Sequence, residues 1–330
     1  MDASKIIENI FTASTFSFET VALQVFNYQY IHNPVYRQFV QLNGIDPANV
    51  KTITEIPSLP VEFFKTHVVM TEDKPVEKIF ESSGTTGQQV SRHYVAHTNL
   101  YRQSFTKGFE LFYNNPSGWN ILALLPAYLE RENSSLVYMM DELIKVSGSE
   151  LSGFYLDDFK KLSDVLKQTK SSSRKTLLLG VTFALLDLAE KFPQELGHVT
   201  ILETGGMKGR REELLREEVH SILKKAFQVK HIHSEYGMTE LLSQAYSKGE
   251  GIFQTPPWMK ILRRELNDAL AVSADEGRGV INVIDLANIY SSAFIATQDL
   301  CNLFADGSFE VLGRTDNSDM RGCNLMVASY

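Results

Sequence analysis

Short apolar runs that alternate with stretches of helical periodicity constrain this chain more than any other feature. Ile121 to Leu125 is continuously apolar, and a helical pattern follows near Asp157 to Lys167. Then come Thr176 to Leu179 and a second helical pattern from Phe183 to Lys191. The alternation continues through Val199 to Leu202, a Gly-Gly turn, the charged stretch Lys208 to Lys225, and Val229 to Ile232, which leads into Tyr236-Gly237. A strand that is apolar at every position is buried on both faces, and intervening helices are what cover it, so the pattern predicts an α/β fold built on a mainly parallel sheet. Ligands of such sheets gather at the carboxyl ends of the strands, where loops carry the chemistry. Val280 to Ile284 opens a more strand-rich C-terminal part.

Upstream, Phe18, Val21, Ala22, Val25 and Phe26 recur at helical spacing, which predicts one or two amphipathic helices ending near Asn33-Pro34. Pro47, Pro57 and Pro60 then break regular structure before an extended stretch from Lys78 to Glu81. No internal repeat, low-complexity tract or flexible linker interrupts the chain.

At 330 residues and 43% hydrophobic content the chain can bury a substantial core. A net charge of -8 argues against a nucleic-acid partner, because a polyanion is bound by a basic stripe that displaces its counterions. The most basic stretch interleaves Arg210, Arg211 and Arg216 with Glu212, Glu213, Glu217 and Glu218, the pattern of a solvated helix face laced with ion pairs. The start, MDASKIIENIF, lacks the basic, apolar and small-residue regions of a secretory signal. No run of about eighteen apolar residues exists to span a bilayer. A cytoplasmic protein, not integral to a membrane, is therefore expected. The two cysteines, Cys301 and Cys323, make neither a disulfide framework nor a CxxC metal spacing.

Four segments carry recognisable chemistry. Ser82-Ser83-Gly84-Thr85-Thr86-Gly87-Gln88-Gln89 packs hydroxyls and glycines into one loop after an apolar stretch. Its glycines let backbone N–H groups approach an anion, and its hydroxyls add donors without bulk. It is not a Walker loop, since no Lys follows Gly87 in place. Taken alone, such a loop is more often an ordinary turn than a phosphate site. The second segment, Ser234 to Glu240, should leave the carboxyl edge of a strand. Tyr236 can stack on a purine, Thr239 can hydrogen-bond a phosphate, and Glu240 is a hard oxygen ligand for Mg²⁺. A strand-to-helix turn with a Glu in the first helical turn would look the same. The third, Glu203-Thr204-Gly205-Gly206-Met207, lets backbone pass close to a flat ring. The fourth joins Thr297-Gln298-Asp299 with Gly313-Arg314-Thr315-Asp316, a carboxylate for ribose hydroxyls and an Arg for ribose or phosphate. His231 and His233 alternate along a strand, but with no third ligand evident they are read as structural, and Cys301 is read as packing.

In this order, SSGTTG, TGG, YGMTE, TQD and GRTD resemble the consecutive core motifs of the adenylate-forming superfamily, which contains acyl-CoA synthetases, peptide-synthetase adenylation domains and firefly luciferase. Within it the chain is most similar to the acyl-protein synthetases of bacterial bioluminescence, the LuxE family, over nearly its whole length. The resemblance implies one large adenylate-forming domain over residues 1–330, with ATP and Mg²⁺ as cofactors. It implies that Ser83, Gly84, Thr85, Thr86 and Gly87 hold the ATP phosphates and that Gly205 and Gly206 border the adenine. Tyr236 would lie against the base, Thr239 would meet the α-phosphate, Glu240 the magnesium, Asp299 the ribose hydroxyls and Arg314 the ribose side. Asp316 falls at the hinge between the large and small domains of related enzymes. Cys323, in MRGCNL, matches the position at which acyl-protein synthetases accept an acyl group as a thioester, although a packed apolar cysteine fits the sequence equally well.

Three departures accompany the resemblance. Gln89-Val90 stand where most relatives carry Pro-Lys, with only Arg92 close by; the ribose motif has Gln298 in place of Gly; and Tyr330 follows soon after the hinge motif, so the small lid domain with its adenylating lysine is expected to be absent. The reading is ATP-dependent activation of a fatty or other carboxylic acid, with the acyl group passed to an enzyme cysteine, coenzyme A or an acyl-carrier protein. An acyl-CoA reductase is a further candidate partner. A coenzyme A ligase of the phenylacetate type and a non-catalytic nucleotide-binding protein remain as alternatives.

Overall fold

The computed structural model describes residues 3–12, 17–72, 74–82, 89–126, 133–205, 214–266, 268 and 270–315. They cluster into two compact units: Ile79–Arg92 with Thr98–Phe253, and Met1–Lys78 with His93–His97 and Gln254–Tyr330.

The first of these units is built on a sheet ordered Gly153–Phe154, Trp119–Leu124, Lys175–Val181, Val199–Thr204, His233–Tyr236, Ala245–Ser247. All neighbours pair in parallel except the last two strands, which are antiparallel. Ile121, Leu122, Leu177, Leu178, Ile201 and Leu202 are buried although successive side chains point to opposite faces, which requires cover on both sides of the sheet. Each such side chain contributes about 1.5–3 kcal/mol when fully buried. Helices Phe159–Thr169 and Thr182–Lys191 fall close to where the periodicity placed them.

One strand differs from expectation. The segment Val229 to Ile232, which leads into Tyr236-Gly237, is not the strand; His233–Tyr236 is. The helix Arg216–Phe227 continues until Gln228 adopts a left-handed conformation as its C-cap, and residues 229–232 connect it to the strand. The strand that follows carries Ser234 and Glu235 as buried polar residues, so its sequence lacks the apolar signature of its neighbours. His231 is consequently exposed outside the strand and does not share a strand face with His233.

The other unit carries an antiparallel array in which Met259–Arg264, Gly277–Asp285, Phe294–Leu303 and Phe309–Arg314 pair in sequence order. The short Leu59–Pro60 strand adds in parallel to Phe294–Leu303. The helix Phe18–His32 starts on Ser17, whose hydroxyl accepts from the Thr20 N–H at 3.2 Å. Asn33 ends that helix and caps the next, Pro34–Leu42, by accepting from the Tyr36 N–H at 3.0 Å. The pair is fixed to the strand region by buried amides. Gln29 donates to the carbonyls of Asn288 and Ile289, both at 2.9 Å, and Asn33 donates to that of Ser291 at 2.9 Å. Phe26 and Tyr36 pack on the Phe294 ring beside them.

Candidate active site

The carboxyl ends of two adjacent parallel strands bring together the segments Glu203–Gly205 and Tyr236–Glu240. Register pairs Glu203 with Ser234 and Thr204 with Glu235. Strand alternation therefore splits the polar residues between the two faces.

On one face lie Glu203, Ser234 and Tyr236. Glu203 accepts from the Thr182 hydroxyl at 3.0 Å and has His220 Nε2 at 3.7 Å and Arg216 Nε at 3.8 Å, both from the helix Arg216–Phe227. Burial works to raise this carboxyl; the hydrogen bond from His220, the Arg216 charge and Ser234 together outweigh it and hold Glu203 below the ordinary carboxylate value. Arg216 also lies over the Phe253 ring, 5.2 Å from its centroid, and Phe253 meets Tyr236 edge to face at 6.1 Å. The Tyr236 hydroxyl points to the Met238 sulfur at 3.8 Å.

On the other face lie Thr204, His233 and Glu235, with Tyr113 from the helix Thr98–Tyr113 and Tyr246 from the neighbouring strand. The Thr204 hydroxyl donates to the Glu235 carboxylate. Burial pushes Glu235 up to about 7 despite that bond, and the Glu203 charge adds to the rise. Tyr113 and His233 Nδ1 are 3.2 Å apart, and desolvation first, then the Lys248 and His231 charges, lower His233 to about 4, so it is neutral at pH 7.

Thr239 and Glu240 sit in the turn after Tyr236, and Glu240 is buried. The chain does not enter a helix there. It turns back into the antiparallel strand Ala245–Ser247, so the helix-dipole account of Glu240 does not apply. Its carboxylate suits a hard divalent cation such as Mg²⁺, as the oxygen chemistry of the turn allows. Among the described residues no group of three or more His, Cys, Asp or Glu side chains is gathered to hold a metal by itself.

The ribose-motif residues belong to the other unit. Asp299 and Arg314 are register partners on adjacent strands, with Arg314 Nε donating to Asp299 Oδ1 at 3.1 Å. Thr297 accepts from the Asp299 N–H at 3.1 Å and donates to the Ile281 carbonyl at 2.9 Å, which fixes the backbone of the motif. Cys301, two residues on, is fully buried, and burial pushes its thiol up to about 11, as expected of a packing residue. Arg92 Nε contacts Glu81 at 3.1 Å, with half of the Arg92 side chain exposed.

Ser83, Gly84, Thr85, Thr86, Gly87, Gly206, Asp316 and Cys323 lie outside the described residues. The base of the hydroxyl-rich loop is described: Ser82 donates from its N–H to the Ser91 carbonyl at 3.0 Å and accepts the Ser91 N–H on its hydroxyl at 2.9 Å. The sequence reading gave Glu203 and Glu235 no part. The available signal was a carboxylate inside strands otherwise buried on both faces, a position that is costly unless the group is partnered or neutral.

The strands and helices of the chain build the α/β large-domain fold of the adenylate-forming ligases. Solved structures that share it include ATP-bound MatB from Rhodopseudomonas palustris, with a TM-score of 0.56 and 16% identity over 74% of this chain and 50% of that one, and an open 2-hydroxyisobutyryl-CoA ligase in complex with 2-HIB-AMP and CoA, with a TM-score of 0.64 and 11% identity over 91% and 70%. The chain spans about half the length of the MatB structures it matches. Its sequence matches the family described as acyl-protein synthetase, LuxE, over residues 13–329, and the chain belongs to that family. A curated relative, the long-chain-fatty-acid–luciferin-component ligase of Vibrio harveyi, is 23% identical, over 92% of this chain and 85% of its own.

Proposed function

We propose that the protein activates a carboxylic acid, of the long-chain aliphatic class, with ATP and passes the acyl group to a thiol. The observation that supports this most directly is the meeting of the Thr204-Gly205 and Tyr236–Glu240 segments at neighbouring carboxyl strand ends, in a chain of the acyl-protein synthetase family.

In the first step a substrate carboxylate oxygen attacks the α-phosphorus of ATP. The bond to the bridging oxygen breaks, and pyrophosphate leaves with the electron pair. In the second, a thiolate sulfur attacks the acyl carbonyl and AMP leaves. Neither step asks the protein for much acid–base chemistry, so alignment and charge neutralisation carry the rate. Gly205 and Gly206 border the base, Tyr236 lies against it, and Ser83, Gly84, Thr85, Thr86 and Gly87 hold the phosphates. Thr239 donates to the α-phosphate, and Asp299 takes the ribose hydroxyls with Arg314 beside them. Glu240 would hold Mg²⁺, whose chemistry when bound is to neutralise phosphate charge. Cys323 is the internal thiol, with coenzyme A or a carrier protein's thiol as the external alternatives. An acyl-carrier protein or an acyl-CoA reductase fits as a partner of the acylated form.

The test is acid-dependent exchange of pyrophosphate into ATP across aliphatic acids of increasing length. Exchange that rises with chain length supports the reading. Absence of exchange with every acid, from protein that binds ATP, would sink it in favour of the non-catalytic alternative.

A further inference from the structure

Glu235 precedes Tyr236 in the turn segment, yet its side chain points to the opposite face of the strand, toward Thr204 and away from Phe253. There it is held by two features of separate segments. The Thr204 hydroxyl, one residue before Gly205, donates to one carboxylate oxygen across the strand pair. The other oxygen folds back against the chain at Gly237, where an added Cβ would run into it. The absence of a side chain at Gly237 is what lets the carboxyl group pack there in this position. Glu235 lies on the join between the Thr204-Gly205 turn and the Tyr236–Glu240 turn.

We infer that Glu235 is a positioning residue for the nucleotide: with Thr204 and Gly237 it locks the two turns that flank the bound ATP into one register. This rests on the nucleotide reading of those turns. The groups that face the carboxyl agree with such a role. Tyr113 from one helix and Tyr246 from the next strand are both raised chiefly by burial and then by the Glu235 charge, Glu203 sits on the adjoining strand, and the His233 ring along the strand is neutral. None of these supplies a cation. A carboxyl in this setting holds a proton readily near pH 7, and a polyphosphate arriving at the turns favours the protonated form further. Occupancy of the turns by nucleotide and protonation of Glu235 are therefore linked.

The test is calorimetric binding of MgATP to the full chain, in buffers of different ionisation enthalpy, for the wild type, Thr204→Val, Glu235→Ala and Glu235→Gln. Thr204→Val keeps the shape of the side chain and removes only the donor. It is expected to weaken MgATP by about tenfold, the scale of one lost buried hydrogen bond. Glu235→Ala is expected to weaken it at least as much, and Glu235→Gln, which keeps an acceptor for Thr204, to restore most of that loss. Near pH 7.5 the wild type should take up more protons on binding than Glu235→Gln does. Wild-type affinity in folded Thr204→Val and Glu235→Ala overturns the positioning role alone, and proton uptake unchanged in Glu235→Gln overturns the linkage to protonation. A wild type that binds no MgATP overturns the nucleotide reading itself, and this role with it.

Discussion

Two carboxylates one strand apart, Glu203 and Glu235, have opposite protonation behaviour because they point to opposite faces of the sheet. Glu203 meets Arg216 and His220 and is held charged; Glu235 meets a hydroxyl and two tyrosine-bearing elements and is pushed up to about 7. The second shift carries a stability consequence. Glu235 rises above its ordinary 4.5 on folding, so its burial is harmless below that pH, where both states hold the proton. Stability is then lost as pH climbs from 4.5 through 7, by up to about 3 kcal/mol. Glu235→Gln cannot ionise and should escape this loss. Thermal melts of the two proteins should diverge in favour of the variant between pH 5 and pH 8; parallel curves would show that Glu235 does not titrate in this window. Glu240, three residues past Gly237, has a different part. Glu240→Gln keeps the volume of a buried side chain and removes the charge proposed to hold Mg²⁺. Acid-dependent exchange should fall by at least about a hundredfold, with far-ultraviolet dichroism unchanged. Near-normal exchange by the folded variant removes Glu240 from the site.

At the scale of elements, what could be read in the sequence divides along burial. Strands buried on both faces, such as Lys175–Val181 with its run Leu177-Leu178-Leu179, were legible because the run is short and lies between stretches of helical periodicity. His233–Tyr236 was displaced to Val229–Ile232, since its side chains answer to Thr204, His220 and Tyr113 and not to an apolar interior. The Tyr236–Glu240 motif was legible as a turn at a strand end, but its return as an antiparallel strand was not, because Ala245–Ser247 is short and its polar residues are satisfied by local bonds. The Asp299–Arg314 pair shows a third case: both residues were singled out, while their cross-strand register is set by pairing between distant segments that no local pattern encodes. That pair gives a prediction at this scale. Arg314 is 71% exposed, and exposed ion pairs contribute about 0–1 kcal/mol to stability. Arg314→Ala should therefore barely move the melting temperature, yet raise the KM for ATP in the exchange reaction about tenfold, as befits a charge-assisted bond to the nucleotide. A large loss of stability with an unchanged KM would make the pair a strand clasp.

For the molecule as a whole, the proposed chemistry divides into two half-reactions that need different groups. Adenylation needs the turns at the carboxyl strand ends, and thiol acylation needs a sulfur that can reach the adenylate. Of the two cysteines, Cys301 is fully buried with its thiol pushed up to about 11, so at neutral pH it offers almost no thiolate. Cys323, which the family resemblance puts forward, is the proposed internal acceptor. The two half-reactions should separate on mutation. Cys323→Ser, incubated with ATP and a radiolabelled long-chain acid, is expected to retain pyrophosphate exchange while losing the hydroxylamine-labile label that the wild type carries through denaturation. Cys301→Ser controls for the other thiol and should keep the label. If Cys323→Ser stays labelled through a thioester, the acyl group sits on Cys301 instead; if the wild type exchanges pyrophosphate and is never labelled, the acyl group leaves on an external thiol, which puts the acceptor on coenzyme A or a carrier protein.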